Sequence, residues 1–464
     1  MFHGCMMRGA IRAMERVLSW NLPAASMSPE EHFVSIPGSR RNFFDRIRIG
    51  LTGLAISRAL PFETAAAAQA PAAAPTPGAA GVAVDYYDKL GVTKRINAAG
   101  TYTYLTGCLM PPSVQAAVAE AAKHPVFLED LQQAAGKYIA QKLKCDAAMV
   151  TCGAASAVTL ATAACMSVAN GPNAGHLIPT DMTGLKNEVI TQKAHRYDYD
   201  HAMRNCGIKF VEVETIEQYE AAFTPNTVMC FFYNAADGGN ISRQDWVRIA
   251  HAHNVPCLND AAADVPPISN LWNYTQMGFD LVAFSGGKGM RGPQNAGLLL
   301  GRTNLIDAAT KNNSPNDDCV GRGMKVAKEQ IVGMVAAIDW FTSQSDAEFE
   351  AEFRKRCDVI AAALKDIPTL TAEVFIPPVA NNVPHLLIRY DVARVKIAPK
   401  DVSRALRHGT PSIELNPATG SSQASAGIPK DTNKIIVGVW MLEPGEDAIV
   451  ARRLREVLLQ AAKS

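Results

Sequence analysis

The most constraining feature of the sequence is an alternation of short apolar segments with amphipathic ones between residues 209 and 284. Thr227–Tyr233, Val255–Asp260 and Phe279–Phe284 have the length and the apolar character of buried strands. A helix is predicted between the first two, because Ser242 is a favourable N-cap and the apolar residues after it recur at helical spacing. Strands that alternate with helices build parallel sheets, so the sequence predicts an α/β fold with a large, mainly parallel sheet.

Length and composition narrow the class of protein. The 464 residues, of which 48% are apolar, are enough for two or three domains with substantial cores. A net charge of +1 gives no electrostatic reason to expect a nucleic-acid partner. No run of 18 apolar residues is present, so no permanent membrane span is expected. The ten cysteines are scattered without zinc-like spacing, and no metal site is predicted.

The first 70 residues have the features of an export signal. The segment Ser39–Phe43 resembles the S-R-R-x-F pattern of twin-arginine signals, and the apolar stretch Ile49–Ser57 and an alanine-rich region follow it. Residues 71–84 resemble a disordered Ala/Pro linker. We therefore expect recognition by the twin-arginine export machinery and a periplasmic or otherwise exported location, with a cytoplasmic protein as the alternative.

Two folded domains are predicted after the linker. The large domain is expected to cover residues 85–340 and a small C-terminal α+β domain residues 341–464. A long helix near residues 322–342 is predicted to join them.

Lys288 lies in a loop rich in glycine, with Gly286, Gly287 and Gly289 around it. The ligands of parallel sheets lie at the carboxyl ends of the strands, and Asp260 ends a predicted strand 28 residues before Lys288. A buried carboxylate needs a cation, and the protonated ring nitrogen of pyridoxal phosphate (PLP) is one. The glycines would let a flat cofactor approach the backbone. The alternatives are a solvated loop lysine and an Asp260 that caps the next segment.

A seat for a phosphate is predicted in Val150–Met166, which contains a strand end, a turn of small residues and an alanine-rich helix. The amides of Gly153, Ala154, Ala155 and Ser156 would line the helix N-terminus, where anions bind favourably. The alternative is an ordinary, well-capped core helix.

His195 and Arg196 follow a predicted apolar strand. An imidazole at that position can stack on a planar ring, whereas a histidine satisfied within the core is the alternative. A catalytic zinc site formed by His195, His201, His251 and His253 is disfavoured, because His251 and His253 are two residues apart on a helix and point in different directions.

Four motifs together resemble the fold type I PLP-dependent enzymes, the aspartate aminotransferase-like fold. The resemblance is strongest to the selenocysteine synthase (L-seryl-tRNA(Sec) selenium transferase) branch and to its D-glucosaminate-6-phosphate ammonia-lyase relatives. It covers residues 85–460, essentially the whole predicted mature chain. In chain order the motifs are GAASA, AHRYDYD, NDAAAD and SGGKGMRGPQ.

The resemblance implies a role for each matched residue. Lys288 forms a Schiff base with PLP and serves as acid and base, Asp260 pairs with the ring nitrogen, and His195 borders the ring. The other predicted contacts are to the cofactor phosphate, from Gly153–Ser156 and Ser285, and to an anionic substrate group, from Arg322, Lys325 and Arg196.

The function predicted from this resemblance is α,β-elimination on an amino acid or amino sugar acid. Selenium transferase-like β-replacement, racemisation and transamination are alternatives, and an exported, non-catalytic PLP-fold binding protein is the alternative of another class. The export leader stands where the selenium transferases carry an RNA-binding domain, so no nucleic-acid partner is expected. The resemblance also implies a homodimer or a larger homo-oligomer.

Overall fold

The computed structural model describes residues 84–171, 173–236, 238–423 and 427–463. The predicted export signal, residues 1–70, and nearly all of the predicted linker lie outside these residues. In chain order the strands are β1 (Arg95–Ala98), β2 (Ala147–Thr151), β3 (Glu188–Gln192), β4 (Lys209–Val213), β5 (Thr227–Tyr233), β6 (Cys257–Asp260), β7 (Leu281–Ser285), β8 (Gly297–Gly301), β9 (Thr371–Phe375), β10 (His385–Arg389), β11 (Ser412–Leu415) and β12 (Ile435–Gly438).

Helices separate most of these strands. They are α1 (Tyr86–Leu90), α2 (Pro112–Ala121), α3 (Leu128–Leu143), α4 (Gly153–Asn170), α5 (Ala174–Leu177), α6 (His201–Arg204), α7 (Ile216–Ala221), α8 (Arg243–Ala252), α9 (Asn270–Met277), α10 (Thr303–Lys311), α11 (Lys328–Thr342), α12 (Asp346–Leu364), α13 (Pro399–Arg407) and α14 (Glu446–Lys463). Short 3-10 turns occur at Thr103–Leu105, Lys193–His195, Asp198–Asp200 and Val439–Met441.

A seven-stranded sheet with the order β2-β8-β7-β6-β5-β3-β4 forms the centre of the structure. Strands β7, β6, β5, β3 and β4 are parallel, whereas β8 is antiparallel to both of its neighbours, β2 and β7. The predicted mainly parallel α/β sheet is therefore confirmed. Because β2 runs in the same direction as β7, the carboxyl ends of six strands meet at one edge.

Helices cover both faces of this sheet, which explains why its strands are apolar on both sides. On one face α4, α6 and α10 pack against side chains such as Phe231 and Leu258. On the other face α8, α9 and α11 pack against side chains such as Phe232 and Val282. Helix α8 begins as predicted, because the Ser242 hydroxyl accepts a hydrogen bond from the Asp245 amide at 3.1 Å.

The C-terminal part contains an antiparallel sheet of three strands with the order β12-β10-β9. Strand β1 pairs in parallel with β11, and its Ile96 and Ala98 side chains join the hydrophobic core of this part together with α12 and α14. The first strand after the predicted linker thus packs with the end of the chain rather than with the central sheet.

The helix predicted near residues 322–342 begins later, at Lys328. The Gln330 side chain accepts a hydrogen bond from the Ala327 amide at 2.7 Å and so terminates the helix at its N-terminal end. Arg322 and Lys325 consequently lie in the loop before α11 and not on the helix.

Helix α4 is, among the described residues, the one helix that is long and apolar enough to cross a membrane, with a mean hydropathy of 1.2 over 18 residues. It is 61% buried within the protein, and it packs against the central sheet. Its apolar character is thus used in the core.

Candidate active site

The start of α4 and the end of β7 meet at the carboxyl edge of the central sheet. Gly297, the first residue of β8, pairs with Thr151 at the end of β2 and with Ser285 at the end of β7. A Cβ atom on Gly297 would lie 2.5 Å from the Gly153 carbonyl carbon, so no side chain fits between β8 and the first turn of α4. This close approach places Gly153 and Ser285 at the same corner of the sheet.

The N-terminus of α4 has unused hydrogen-bonding capacity. Gly153 has a φ of +79°, and no atom lies within 4 Å of the position that a Cβ would take there. Cys152 provides no side-chain cap. The Ser156 hydroxyl is buried and has no hydrogen-bond partner among the described residues. An uncapped helix start beside an unsatisfied hydroxyl suits an anion such as a phosphate.

Asp260 is the last residue of β6, and its side chain is 5% exposed. One carboxylate oxygen, Oδ1, accepts a hydrogen bond from the Ala262 amide at 2.9 Å, and the other, Oδ2, accepts one from the Tyr197 hydroxyl. Burial raises the pKa of Asp260, whereas these two donors and the nearby Lys288 ammonium oppose the rise. The carboxylate is therefore fixed in orientation and supported in its ionised form.

Lys288 lies in the loop after β7 and forms no hydrogen bond or ion pair through its amine with any described residue. Burial lowers the pKa of this amine, while the charges of Asp260 and Asp264 act in the opposite direction. An amine with a lowered pKa is deprotonated more readily, which makes it available as a nucleophile and as a base. The Lys288 amine and the Asp260 carboxylate thus influence each other's ionisation.

The glycines around Lys288 serve the packing of the loop itself. A Cβ on Gly289 would overlap the Val265 carbonyl oxygen, and one on Gly287 would lie 2.5 Å from the Gln294 Cα. At Gly286 the space is likewise taken by atoms of this chain. A side chain therefore does not fit at these three positions, and the approach of a flat ring to the backbone stays a prediction.

His195 lies on the opposite face of the sheet from Asp260. Its ring packs edge-on against Phe232, with the ring centroids 4.4 Å apart, and its Nδ1 accepts a hydrogen bond from the Tyr233 amide at 3.2 Å. Phe232 belongs to the face covered by α8, whereas Asp260 pairs in register with Tyr233, whose side chain points to the α4 face. The ring contact predicted for His195 stays a prediction, and its contacts among the described residues include Phe232 and the Tyr233 amide.

His195 is buried and neutral. Burial lowers the pKa of its imidazole to about 4, although a hydrogen bond to the Gly238 backbone acts in the opposite direction. The contacts of this histidine with Phe232 and the Tyr233 amide anchor the segment after β3 to β5.

The three cations predicted to bind substrate differ in their ion pairs. Arg196 forms ion pairs with Asp200, at 2.6 Å, and with Glu212, and its guanidinium covers the ring of Phe210 on the outermost strand β4. Arg322 pairs with the exposed Asp317 at 3.2 Å. Lys325 is exposed and forms no ion pair with a described residue.

Two residues of the site, Tyr197 and Asp264, were not predicted from the sequence. Tyr197 reaches Asp260 with its hydroxyl. Asp264, four residues after Asp260, is buried and accepts a hydrogen bond from the Tyr274 hydroxyl at 3.0 Å, while its Oδ1 has no partner among the described residues. Both residues lie inside the motifs AHRYDYD and NDAAAD. The spacing of residues within these motifs does not show which side chains point into the protein.

The family model for L-seryl-tRNA selenium transferase matches residues 95–352, which is more than half of the chain. The chain belongs to the L-seryl-tRNA selenium transferase family.

Relatives of this selenium transferase family member extend the match to nearly the whole described chain. A 5'-C-glycyluridine monooxygenase-decarboxylase from Streptomyces sp is 28% identical over 80% of this chain and 92% of its own length. A D-glucosaminate-6-phosphate ammonia lyase from Salmonella typhimurium is 26% identical over 81% of this chain and 98% of its own length. A solved structure of D-glucosaminate-6-phosphate ammonia-lyase is 25% identical, with a TM-score of 0.70 over 82% of this chain and 100% of that chain.

These likenesses confirm the predicted fold type I, the fold of PLP-dependent transferases. The relatives carry the names of a monooxygenase-decarboxylase and an ammonia lyase, and this selenium transferase family member is an enzyme of the PLP-dependent lyase and transferase class.

The packing of the lysine loop leads to a stability prediction for this family member. Gly289→Ala should lower the free energy of unfolding by roughly 1–3 kcal/mol, because the new Cβ must displace the Val265 carbonyl. Gly323→Ala is the control, since no atom lies within 4 Å of its Cβ position. Chemical denaturation of both variants measures the difference, and equal stability of the two would contradict the packing argument.

The buried Asp264 leads to a prediction for the pH dependence of stability. Burial raises the pKa of Asp264 from 3.8 to about 6, and the Asp260 carboxylate adds to the rise. Ionisation of Asp264 therefore destabilises the fold progressively as the pH rises through this interval, by up to about 3 kcal/mol.

Asp264→Asn should remove this penalty, so the variant should gain stability relative to the wild type between acidic and neutral pH. Urea denaturation of both proteins across this interval measures the difference. A difference that does not change with pH would show that Asp264 does not titrate as inferred.

Proposed function

We propose that this chain binds PLP at the carboxyl edge of its central sheet and acts at the α-carbon of an amino acid or amino sugar acid. The proposal rests on one arrangement. The unpaired Lys288 amine lies in the electrostatic environment of the buried Asp260 carboxylate, at the edge where the uncapped start of α4 leaves the Ser156 hydroxyl unsatisfied. An amine, a carboxylate and an anion seat are the protein groups that PLP requires.

The residues divide into three roles in this proposal. Lys288 would hold the cofactor covalently and would move the proton at the substrate α-carbon. Asp260 would keep the ring nitrogen protonated. The segment Gly153–Ser156, together with Ser285, would bind the phosphate. When bound, PLP supplies an electron-withdrawing ring that stabilises negative charge on the α-carbon.

Elimination of the ammonia-lyase type is the reaction that we propose. It is supported by the ammonia lyase relative, which this chain matches along almost the whole of that protein, and by the likeness to a solved structure of that enzyme. The other relative, a monooxygenase-decarboxylase by name, has a similar identity, so the family match alone does not select the outcome.

We further propose that the enzyme works as a homo-oligomer. Arg196 is neutralised by Asp200 and Glu212, which leaves a need for other cations near an anionic substrate. Lys325 is exposed and forms no ion pair with a described residue. The chain also exposes several large apolar side chains, of which Phe127 is 82% exposed. A second copy that covers such a surface could bring an exposed cation to a neighbouring site.

The cofactor assignment predicts the behaviour of two lysine variants. Wild-type protein incubated with PLP should acquire the visible absorbance of lysine-bound PLP, and Lys288→Ala should lack it, because the variant has no amine at the site. Lys137→Ala, which changes an exposed lysine on α3, should behave like the wild type. Absorbance spectra after removal of free PLP measure this.

The loaded enzyme then tests the reaction. Amino acids and amino sugar acids are screened for spectral shifts and for released ammonia and keto acid. Asp260→Ala should fold and lose turnover. A wild type that binds no PLP would refute the proposed function, and unchanged turnover in Asp260→Ala would refute the role of that carboxylate.

We also propose export by the twin-arginine pathway, which the Ser39–Phe43 pattern supports. Replacing both Arg40 and Arg41 with lysine should keep an unprocessed precursor in the cytoplasm, whereas the wild type should be shortened and exported. Cell fractionation with immunoblotting distinguishes these outcomes. An unprocessed wild type in the cytoplasm would favour the cytoplasmic alternative.

A further inference from the structure

Tyr197 makes the closest side-chain contact to the Asp260 carboxylate. Its hydroxyl donates a hydrogen bond to Asp260 Oδ2. Its ring stacks on Tyr233, with the centroids 4.1 Å apart and the planes at 23°, and lies 6.0 Å from Phe231 at 16°. The ring is therefore fixed by aromatic neighbours on β5, and the hydroxyl is directed at the end of β6.

The backbone on either side of Tyr197 is also fixed. His195 accepts a hydrogen bond from the Tyr233 amide, and Arg196 is paired with the buried Asp200. Tyr197 lies between these two anchors with φ −156° and ψ 168°, in extended conformation, and the 3-10 turn Asp198–Asp200 follows. Two independent attachments thus hold this tyrosine at one distance from Asp260.

The two hydrogen-bond donors to Asp260 act on different oxygens. The Ala262 amide binds Oδ1, and the Tyr197 hydroxyl binds Oδ2. Donors of this kind favour the ionised carboxylate and oppose the effect of its burial. The charge of Asp260 in turn raises the pKa of the neighbouring Asp264 carboxyl. Of the two donors, Tyr197 is the one that a substitution can remove.

We propose that Tyr197 is a positioning residue, whose hydroxyl keeps Asp260 ionised and oriented so that this carboxylate can bind the protonated ring nitrogen of PLP. This inference rests on the proposed function. It concerns the residue that maintains the strength of that ion pair, and it is separate from the question of whether PLP binds.

The alternative is that Tyr197 contributes only an apolar ring to the packing beside β5. Tyr197→Phe separates the two roles, since it keeps the ring on Tyr233 and removes only the hydroxyl. Tyr199→Phe is the matched control, because Tyr199 lies in the same segment, is 67% exposed and has no contact with Asp260 among the described residues.

The test compares the binding of two ligands to the full-length protein. One is PLP, and the other is its analogue in which carbon replaces the ring nitrogen, so that no proton can be held there. The wild type should bind PLP more tightly than the analogue. Tyr197→Phe should reduce this preference by about tenfold, the equivalent of one charge-assisted hydrogen bond. Asp260→Asn should abolish the preference, and Tyr199→Phe should leave it unchanged.

The pH dependence gives a second measurement that a packing role would not change. Without the Tyr197 hydroxyl, the pKa of Asp260 should rise further, so the preference of Tyr197→Phe for PLP should weaken as the pH is lowered from neutrality. The wild type should keep its preference at lower pH than the variant. Fluorescence or absorbance titration at several pH values gives both affinities.

The outcomes separate the two proposals. A wild type that binds neither ligand would refute the proposed function itself. A wild type that prefers PLP, together with a Tyr197→Phe variant that has the same preference at every pH, would leave the proposed function intact and refute the positioning role.

Discussion

The candidate site depends on keeping a carboxylate charged where water is excluded. Asp260 is almost fully buried at the end of β6, and a buried charge is costly unless donors or cations compensate for it. Compensation comes from three directions, namely the Ala262 amide, the Tyr197 hydroxyl and the Lys288 amine. The other features of the site hold this amide, this hydroxyl and this amine close to the Asp260 carboxylate.

The segment after β3 holds the Tyr197 hydroxyl in place. His195, neutral and buried, accepts a hydrogen bond from the backbone of β5, and Arg196 is held by carboxylates beside β4. Neither residue needs to touch a ligand for the site to depend on both, because they fix the backbone that carries Tyr197. A residue near the end of a parallel strand can therefore be important for a site through its neighbour in the sequence.

How far apart two interacting residues lie along the chain decides whether their interaction can be predicted from the sequence. Local periodicity made the strands and the Ser242 cap predictable. The parallel topology made it predictable that Gly153, Asp260 and Lys288 follow strands that end at the same edge. The orientation of His195 was not predictable, since it depends on an amide 38 residues away. The packing contacts of the loop glycines were not predictable for the same reason. Their tight contacts are with Val265 and Gln294, which no local pattern identifies.

The loop that carries Lys288 is contacted by a segment from another part of the chain, residues 102–107. A Cβ on Gly107 would lie 2.8 Å from the Gly287 carbonyl oxygen, and the Gln294 amide group donates a hydrogen bond to the Thr103 carbonyl at 3.1 Å. The same segment is attached to the C-terminal part, where the Asn416 side chain reaches the Tyr102 hydroxyl at 3.2 Å. Relatives with this fold carry the names of an ammonia lyase, a monooxygenase-decarboxylase and a selenium transferase. In our proposal, Lys288, Asp260 and the start of α4 supply the chemistry that such reactions share. We therefore expect the differences among the reactions to arise in neighbouring segments of this kind, which contact the lysine loop without being part of it.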